Sequence, residues 1–339
     1  MTFMRRSIVG ALGVVTGLAL QAGVATAQVP TAGLSSFPGP SISAHPMAII
    51  KAEKLDDKNG WNLDWQIRTT FTPWINDYLS GAYHGLHFSG INYLVTNYNK
   101  GAPVRIVGAS AAYPWPLIVK ADAGVNSLKD LKGKKVGVPK ASYIWAYLRA
   151  IMVRDGLDPE KDLKVDNIDI IQAIQLVERG DFDAAMPLVE HTIALEKSQP
   201  GKYKVLMFPD QEVAKMLGRE RMYQVLTMRA DWLAANKGGG AKVLKTLAEA
   251  QAFVDRDVAA AIKVLEPKTA VSGGQGSGGA ALEPYIIEAM YKNGFHGRKM
   301  SWYGIPAKDI LSQLKAEMKL YLDAGMIDKL PDDGIFHIE

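Results

Sequence analysis

The sequence predicts an α/β protein of two lobes with a helical C-terminal tail. Three observations carry that reading. Strand-like and helix-like segments alternate from Ala32 to Met228, and the alternation starts afresh at Pro116. Two turns echo one another: Gly81-Ala82-Tyr83-His84 and Gly180-Asp181-Phe182-Asp183 each follow a helix and lead into a strand. Beyond Ala230 the pattern reads as wholly helical. Alternating strands and helices imply a mostly parallel sheet covered on both faces. Two such units in one chain imply two lobes with a cleft between them, and ligands of open α/β sheets sit outside the carboxyl ends of the strands.

Each element has its own signal. Ala32 to Phe37 is a short apolar segment ending in the loop Pro38-Gly39-Pro40. Pro46 to Leu55 reads as a helix, with proline at a permitted first-turn position. Leu63 to Thr70 alternates as a strand does, and Trp74 to Ser80 is a short helix stopped at Gly81. A strand at Gly85–Phe88, a helix at Ile91–Asn99 and a strand at Val104–Val107 complete the first unit. In the second, Pro116 to Lys120 is a strand, Ser127 caps a short helix to Leu131, and Lys135 to Val138 is a strand. A helix from Ser142 to Arg154 is capped by Ser142 and stopped at Gly156. Val165–Ile168 (strand), Ile171–Arg179 (helix) and Ala184–Met186 (strand) follow, with further strands at Tyr203–Phe208 and Tyr223–Met228. Helical runs then occupy Ala241–Asp255, Asp257–Leu265, Leu282–Asn293 and Ala307–Ala324.

The N-terminus carries an address. Arg5 and Arg6 precede an apolar run from Ile8 to Ala22, and Ala25-Thr26-Ala27 precedes Gln28. A basic start, a short apolar stretch and an A-x-A exit read as a secretory signal peptide cut after Ala27. The run is too short and glycine-rich for a good membrane span, which sets aside an uncleaved anchor. The pair of arginines is a weak match to the twin-arginine export signal. The chain has no cysteine, so no disulfide, thiolate ligand, thiol nucleophile or cysteine-linked lipid is available. The net charge is +4, of which Arg5 and Arg6 supply two, and no basic stripe points to nucleic acid.

One stretch resembles a known family. Pro116-Leu117-Ile118-Val119-Lys120 followed by Ser127-Leu128-Lys129-Asp130-Leu131-Lys132-Gly133-Lys134-Lys135-Val136-Gly137-Val138 resembles the ABC-transporter solute-binding proteins of the branch that takes up nitrate, alkanesulfonates, taurine and thiamine-precursor pyrimidines. Gly180-Asp181-Phe182-Asp183-Ala184-Ala185, the downstream Pro187 and the helical tail are similar to it too. The resemblance implies a type II periplasmic-binding fold whose lobes are joined by hinge strands near Ala111–Lys120 and Tyr223–Arg229. It implies a first lobe of residues 28–113 and 227–339 and a second of 114–226. It also implies a monomer in the periplasm that presents its ligand to a membrane permease with its ATPase. His84 stands where the second half has Asp183, and the loop Pro38-Gly39-Pro40-Ser41 is unlike sulfonate-binding forms.

Loops at strand ends supply the candidate ligand-binding residues. From the first lobe these are Phe37, Ser41 and His45, Thr72 and Trp74, Ser89 and Gly90, and Ser110 and Tyr113; from the second, Lys140, Ser142 and Tyr143, and Pro187 and Glu190. Ser89-Gly90 and Ser142-Tyr143 open helices, whose free N–H groups suit an anionic or acceptor group, although Ser142 can equally be only a cap. Trp74, Tyr113, Trp115, Tyr143 and Trp145 make these loops rich in rings, which wall flat or apolar ligands. Trp145, inside a helix, reads as core. Glu190 in the cleft would favour an amine-bearing ligand; as a first-turn carboxylate it would simply favour the helix dipole. Lys140 is able to pair a carboxylate or stay solvated.

Other chemistries find little support. His84 and His87 lie three apart on a strand and point to opposite faces, a poor metal pair, and no H-E-x-x-H is present, so no metal is expected. Gly274-Gln275-Gly276-Ser277-Gly278-Gly279 contains G-x-G-x-x-G but no strand precedes it, so it reads as a loop and no cofactor is expected. No G-x-S-x-G surrounds Ser277. The expected function is capture of a small organic solute, such as an aromatic carboxylate or sulfonate, by hinge closure. A pyrimidine binder, an enzyme on the same fold and a sensor module are the alternatives.

Overall fold

The computed structural model describes residues 29–37, 41–68, 70–140, 142–168, 172–265 and 283–339. The expected signal peptide 1–27, the expected loop at 38–40 and the glycine run 274–279 lie outside them.

The first unit runs β1 (Thr31–Ser36), α1 (His45–Glu53), α2 (Leu55–Lys58), β2 (Asn62–Ile67), α3 (Phe71–Ser80), β3 (Gly85–Ser89), α4 (Ile91–Asn99) and β4 (Val104–Ala112). The chain then builds β5 (Leu117–Lys120), β6 (Lys135–Val138), α5 (Tyr143–Arg154), β7 (Lys164–Asn167), α6 (Ala173–Arg179), β8 (Ala184–Ala185), α7 (Val189–Ser198) and β9 (Tyr203–Met207). It returns through α8 (Pro209–Met216) to β10 (Gln224–Arg229) and ends in α9 (Ala230–Ala235), α10 (Gly239–Arg256), α11 (Val258–Leu265), α12 (Pro284–Glu288), β11 (Ser301–Pro306) and α13 (Leu311–Asp323).

Two sheets result, in the orders β11-β4-β10-β3-β1-β2 and β7-β6-β8-β5-β9. They repeat one plan. In each, three parallel strands lie side by side: β2-β1-β3 in one and β7-β6-β8 in the other. The next strand has entered from the other half and runs antiparallel: β10 against β3, and β5 against β8. The strand after that, β4 or β9, is antiparallel again. Alternation alone predicts mostly parallel sheets; the crossing strands make both mixed.

The echoed turns are the same structure. Helices α3 and α6 end at Gly81 and Gly180, with φ of 90° and 85°, a left-handed cap that glycine adopts without a Cβ clash. Three residues on, the His84 N–H donates to Gly33 O and the Gly33 N–H donates back to His84 Nδ1, both at 2.8 Å. In the second half the Asp183 N–H donates to Lys135 O (2.9 Å) and the Lys135 N–H donates to Asp183 Oδ2 (2.8 Å). A ring nitrogen in one lobe and a carboxylate in the other clasp the middle strand of their parallel trio alike.

Three elements depart from the sequence reading. The tail is not wholly helical: β11 pairs antiparallel with β4 at the sheet edge. It holds Gly304 and Pro306, which weaken its strand signal and which an edge strand accepts. Its close approach explains both nearby glycines: a Cβ on Gly108 would lie 2.1 Å from Ile305 O, and one on Gly304 2.4 Å from Leu244 O. Helices α7 and α8 also emerge within the second unit, the latter with Pro209 in its first turn. No described helix is long and apolar enough to cross a membrane.

The buried core runs unbroken from the first sheet through Tyr113, Trp115 and Tyr143 into the second, with a smaller cluster around Ile118, Val177 and Tyr203. The facing ends of the two sheets are therefore in contact.

Candidate ligand-binding site

Five chain segments converge where the sheets face each other: the turn after β1, the β3–α4 turn, the end of β4, the start of α5 and the start of α7. They bring together Ser41, His45, Ser89, Gly90, Ser110, Tyr113, Ser142, Tyr143, Pro187 and Glu190, all buried.

Tyr113 and Glu190 form the centre of this contact. The Tyr113 hydroxyl accepts from the Val189 N–H and donates to Glu190 Oε2, both at 2.7 Å. Val189 and Glu190 are the first two residues of α7, whose free amides and dipole favour negative charge there. Burial opposes that charge and pushes the Glu190 carboxyl up to about 7, with Tyr113, its own amide and the Ile42 amide pulling it back. Ile42 belongs to the turn after β1, so an amide of the first unit acts on a helix carboxylate of the second. Glu190 is thus a first-turn carboxylate of α7 whose polar partners include residues of the first unit.

The turn after β1 is tied down by its serines. Ser41 Oγ lies 3.0 Å from Ser43 Oγ and accepts the Ser43 N–H, while Phe37 N–H donates to Ser43 Oγ at 3.0 Å. His87 Nε2 donates to Ser43 O at 2.6 Å, and burial holds this ring neutral by lowering its pKa to about 4. His45 Nδ1 meets the Tyr291 hydroxyl at 2.7 Å. His84 and His87 thus serve different partners, as their spacing predicts.

At the other side the starts of α4 and α5 abut. A Cβ on Gly90 would lie 2.5 Å from the Tyr143 Cβ, so only glycine permits this approach. Just before it, Phe88 has φ 68°, a left-handed conformation costly for an aromatic residue. Its N–H donates to Ser110 Oγ at 3.1 Å, and its ring meets the Tyr113 ring edge-on at 5.4 Å. Ser110 Oγ in turn donates to Gln224 O at 3.3 Å. Tyr113, Trp115 and Tyr143 continue the wall, with ring centroids 5.2 and 6.2 Å apart.

The remaining sequence candidates lie apart. Thr72 and Lys140 are exposed, and the Lys140 N–H donates to Asn167 Oδ1. Trp74 is buried in the core between Phe37 (5.2 Å) and Tyr93 (6.4 Å), because α3 lays its first turn against the sheet. Trp145 is buried, with Arg149 stacked over its ring.

Several polar groups of the site escape sequence reading. Gln224 is 1% exposed, and neither of its amide atoms has a hydrogen-bond partner among the described residues. A glutamine within the buried run Gln224-Val225-Leu226-Thr227-Met228 was its available signal. Asp210 accepts the Trp115 N–H at 3.3 Å, and burial pushes its carboxyl up to about 7. Arg298 stacks over Phe208 at 4.1 Å and donates to Gln211. Among the described residues no cluster of His, Asp or Glu could hold a metal ion.

Comparison with known proteins agrees with this architecture. The sequence model of the family described as "NMT1/THI5 like" matches residues 85–253, from β3 to α10. The alkanesulfonate-binding protein SsuA from Xanthomonas axonopodis pv. citri bound to MOPS superposes with a TM-score of 0.71 at 17% identity, over 91% of this chain and 98% of its own. The periplasmic aliphatic sulphonate binding protein SsuA from Escherichia coli gives 0.69 at 16% identity, over 91% and 92%. The zinc-bound ligand-binding component of an ABC-type import system from Staphylococcus aureus gives 0.63 at 12% identity, over 91% and 96%. A comparison with curated protein sequences gives no match. With its two repeated sheets and the buried polar seam between them, this chain has the two-lobed α/β fold of the periplasmic solute-binding proteins of ABC importers, and its residues 85–253 match the NMT1/THI5-like family model.

Proposed function

We propose that the protein captures a small organic solute between its lobes and delivers it to an ABC-importer permease and its ATPase, as a monomeric periplasmic protein without catalytic activity. The observation that carries this is the seam itself: Glu190 at the start of α7 meets Tyr113 and the Ile42 amide, and Gly90 meets Tyr143, so the ends of the two sheets close on each other. A lobe boundary near residues 113 and 226 accounts for the two crossings, and rotation there would open the seam. The rings of Phe88, Tyr113, Trp115 and Tyr143 support a ligand with a flat or apolar body. The sulfonate-binding neighbours and the facing starts of α4 and α5 support an anionic group on it, such as an aromatic carboxylate or sulfonate; the ring-lined wall supports a pyrimidine-like heterocycle equally well.

An affinity near micromolar, about −8 kcal/mol, suits such capture. Mass spectrometry of solute released from the purified protein identifies the ligand, and small-angle scattering of stripped and reloaded protein reads closure. A smaller radius of gyration on loading is expected. Saturable binding with an unchanged shape rejects closure, and turnover of the solute rejects the binding-only role.

A further inference from the structure

Glu190 stands out within the seam. It is 1% exposed, and while Oε2 holds the Tyr113 hydroxyl, Oε1 has no hydrogen-bond partner among the described residues. The groups that act on its charge are Tyr113, its own amide and the Ile42 amide; no lysine or arginine is among them. A helix start that would otherwise receive a ligand's anion here carries the protein's own carboxylate. The Gln224 side chain and the Tyr143 hydroxyl are further buried polar groups of the site.

We infer that Glu190 is a specificity-determining residue of the solute site, with Oε1 accepting a nitrogen-bound hydrogen from the ligand and rejecting a carboxylate or sulfonate at that end. This rests on the solute-capture reading above and deepens it. The reason is electrostatic and geometric. A buried carboxylate is acceptor-only, so a ligand oxyanion against Oε1 would place like charges together with no donor between them. An amide, amine, amidine or ring N–H completes the orphaned acceptor, and the neighbouring rings pack the ligand's body. Any anionic group on the solute then points elsewhere. Sites that hydrogen-bond a ligand donor reject the analogue lacking it strongly, roughly 100-fold or more.

The test uses matched ring compounds on the mature protein: benzamide against benzoate, nicotinamide against nicotinate, benzylamine against benzenesulfonate. Binding is measured by calorimetry and thermal shift at about pH 8.5, where a carboxyl pushed up to about 7 is ionised. At least one donor compound is expected to bind, and its oxyanion partner to bind roughly 100-fold more weakly. Glu190→Gln, which keeps an acceptor for Tyr113, is expected to narrow that ratio to about tenfold or less. The comparison on the unaltered protein stands whether or not the variant folds. Oxyanion compounds that bind as well as their partners overturn the assignment. So does a folded Glu190→Gln protein with an unchanged ratio, and so does a panel in which no donor compound binds. If the oxyanions bind and compact the protein in scattering, the Glu190 assignment falls while solute capture stands. If a solute recovered from the protein binds without compaction, capture by closure falls on its own.

Discussion

A single hydroxyl joins the two faces of the seam. Tyr113 accepts from the first amide of α7 and donates to Glu190, so Tyr113→Phe strands one buried donor and one buried acceptor. Urea unfolding is expected to show a loss of about 1–3 kcal/mol; an unchanged midpoint would deny the bond its role. A second buried acid sets a pH response. Glu317 accepts from Tyr147 and Tyr321 and lies 3.8 Å from Arg219, and burial pushes its carboxyl up to about 7. An acid whose pKa is raised on folding holds its proton longer in the native state. Its contribution is therefore complete below its unfolded value near 4.5 and is lost as pH rises through about 7. Glu317→Gln keeps the acceptor for both tyrosines and removes the titration. Its melting temperature relative to the unaltered protein is expected to improve between about pH 4.5 and pH 7.5, and a difference that stays flat would contradict the buried charge. His87 titrates in both proteins and cancels in that comparison.

Helix starts and strand clasps decide how the elements meet. Gly90 opens α4 with φ −82°, a conformation any residue adopts, so Gly90→Ala meets no backbone strain. Its methyl would instead strike Tyr143 at the start of α5. The variant is expected to fold with a near-normal melting temperature yet bind the recovered solute at least about tenfold more weakly and compact less in scattering. Normal binding would show that α4 and α5 need not touch in the loaded form. The clasp between β1 and β3 gives a second test. His84→Ala leaves the buried Gly33 N–H without its acceptor and is expected to cost about 1–3 kcal/mol, whereas His84→Asn retains an acceptor and is expected to cost less. Equal losses in the two variants would mean that the ring's packing against Trp232, 6.1 Å away, outweighs the bond. The echo of the Gly81 and Gly180 turns was legible because each is short-range chemistry: a left-handed cap three residues before a strand. β11 was not legible, because its pairing with β4 spans nearly the whole tail and its own residues, Gly304 and Pro306, argue against a strand.

At the scale of the whole molecule, two copies of one sheet plan exchange a strand and close on each other. Beyond the seam, the lobes touch where His296 meets Glu196 at 2.8 Å, where Lys197 lies 3.4 Å over the Tyr285 ring, and where Tyr147 reaches Glu317. These contacts join residues far apart in the chain, and no periodicity announces them. The sequence by itself determined the two α/β units, their echoed turns, the helix starts at Ser89-Gly90 and Ser142-Tyr143, and the ring-rich loops, because caps, alternation and turns are set by neighbours a few residues away. It left Glu190 between two readings and placed Trp74, Thr72 and Lys140 among the ligand-binding candidates. Tertiary structure alone decided those: packing of α3 buries Trp74 in the core, solvent keeps Thr72 and Lys140, and closure of one sheet on the other encloses Glu190 against Tyr113. Which way a side chain faces across a cleft is fixed by how the lobes meet, and that orientation is a property of long-range packing.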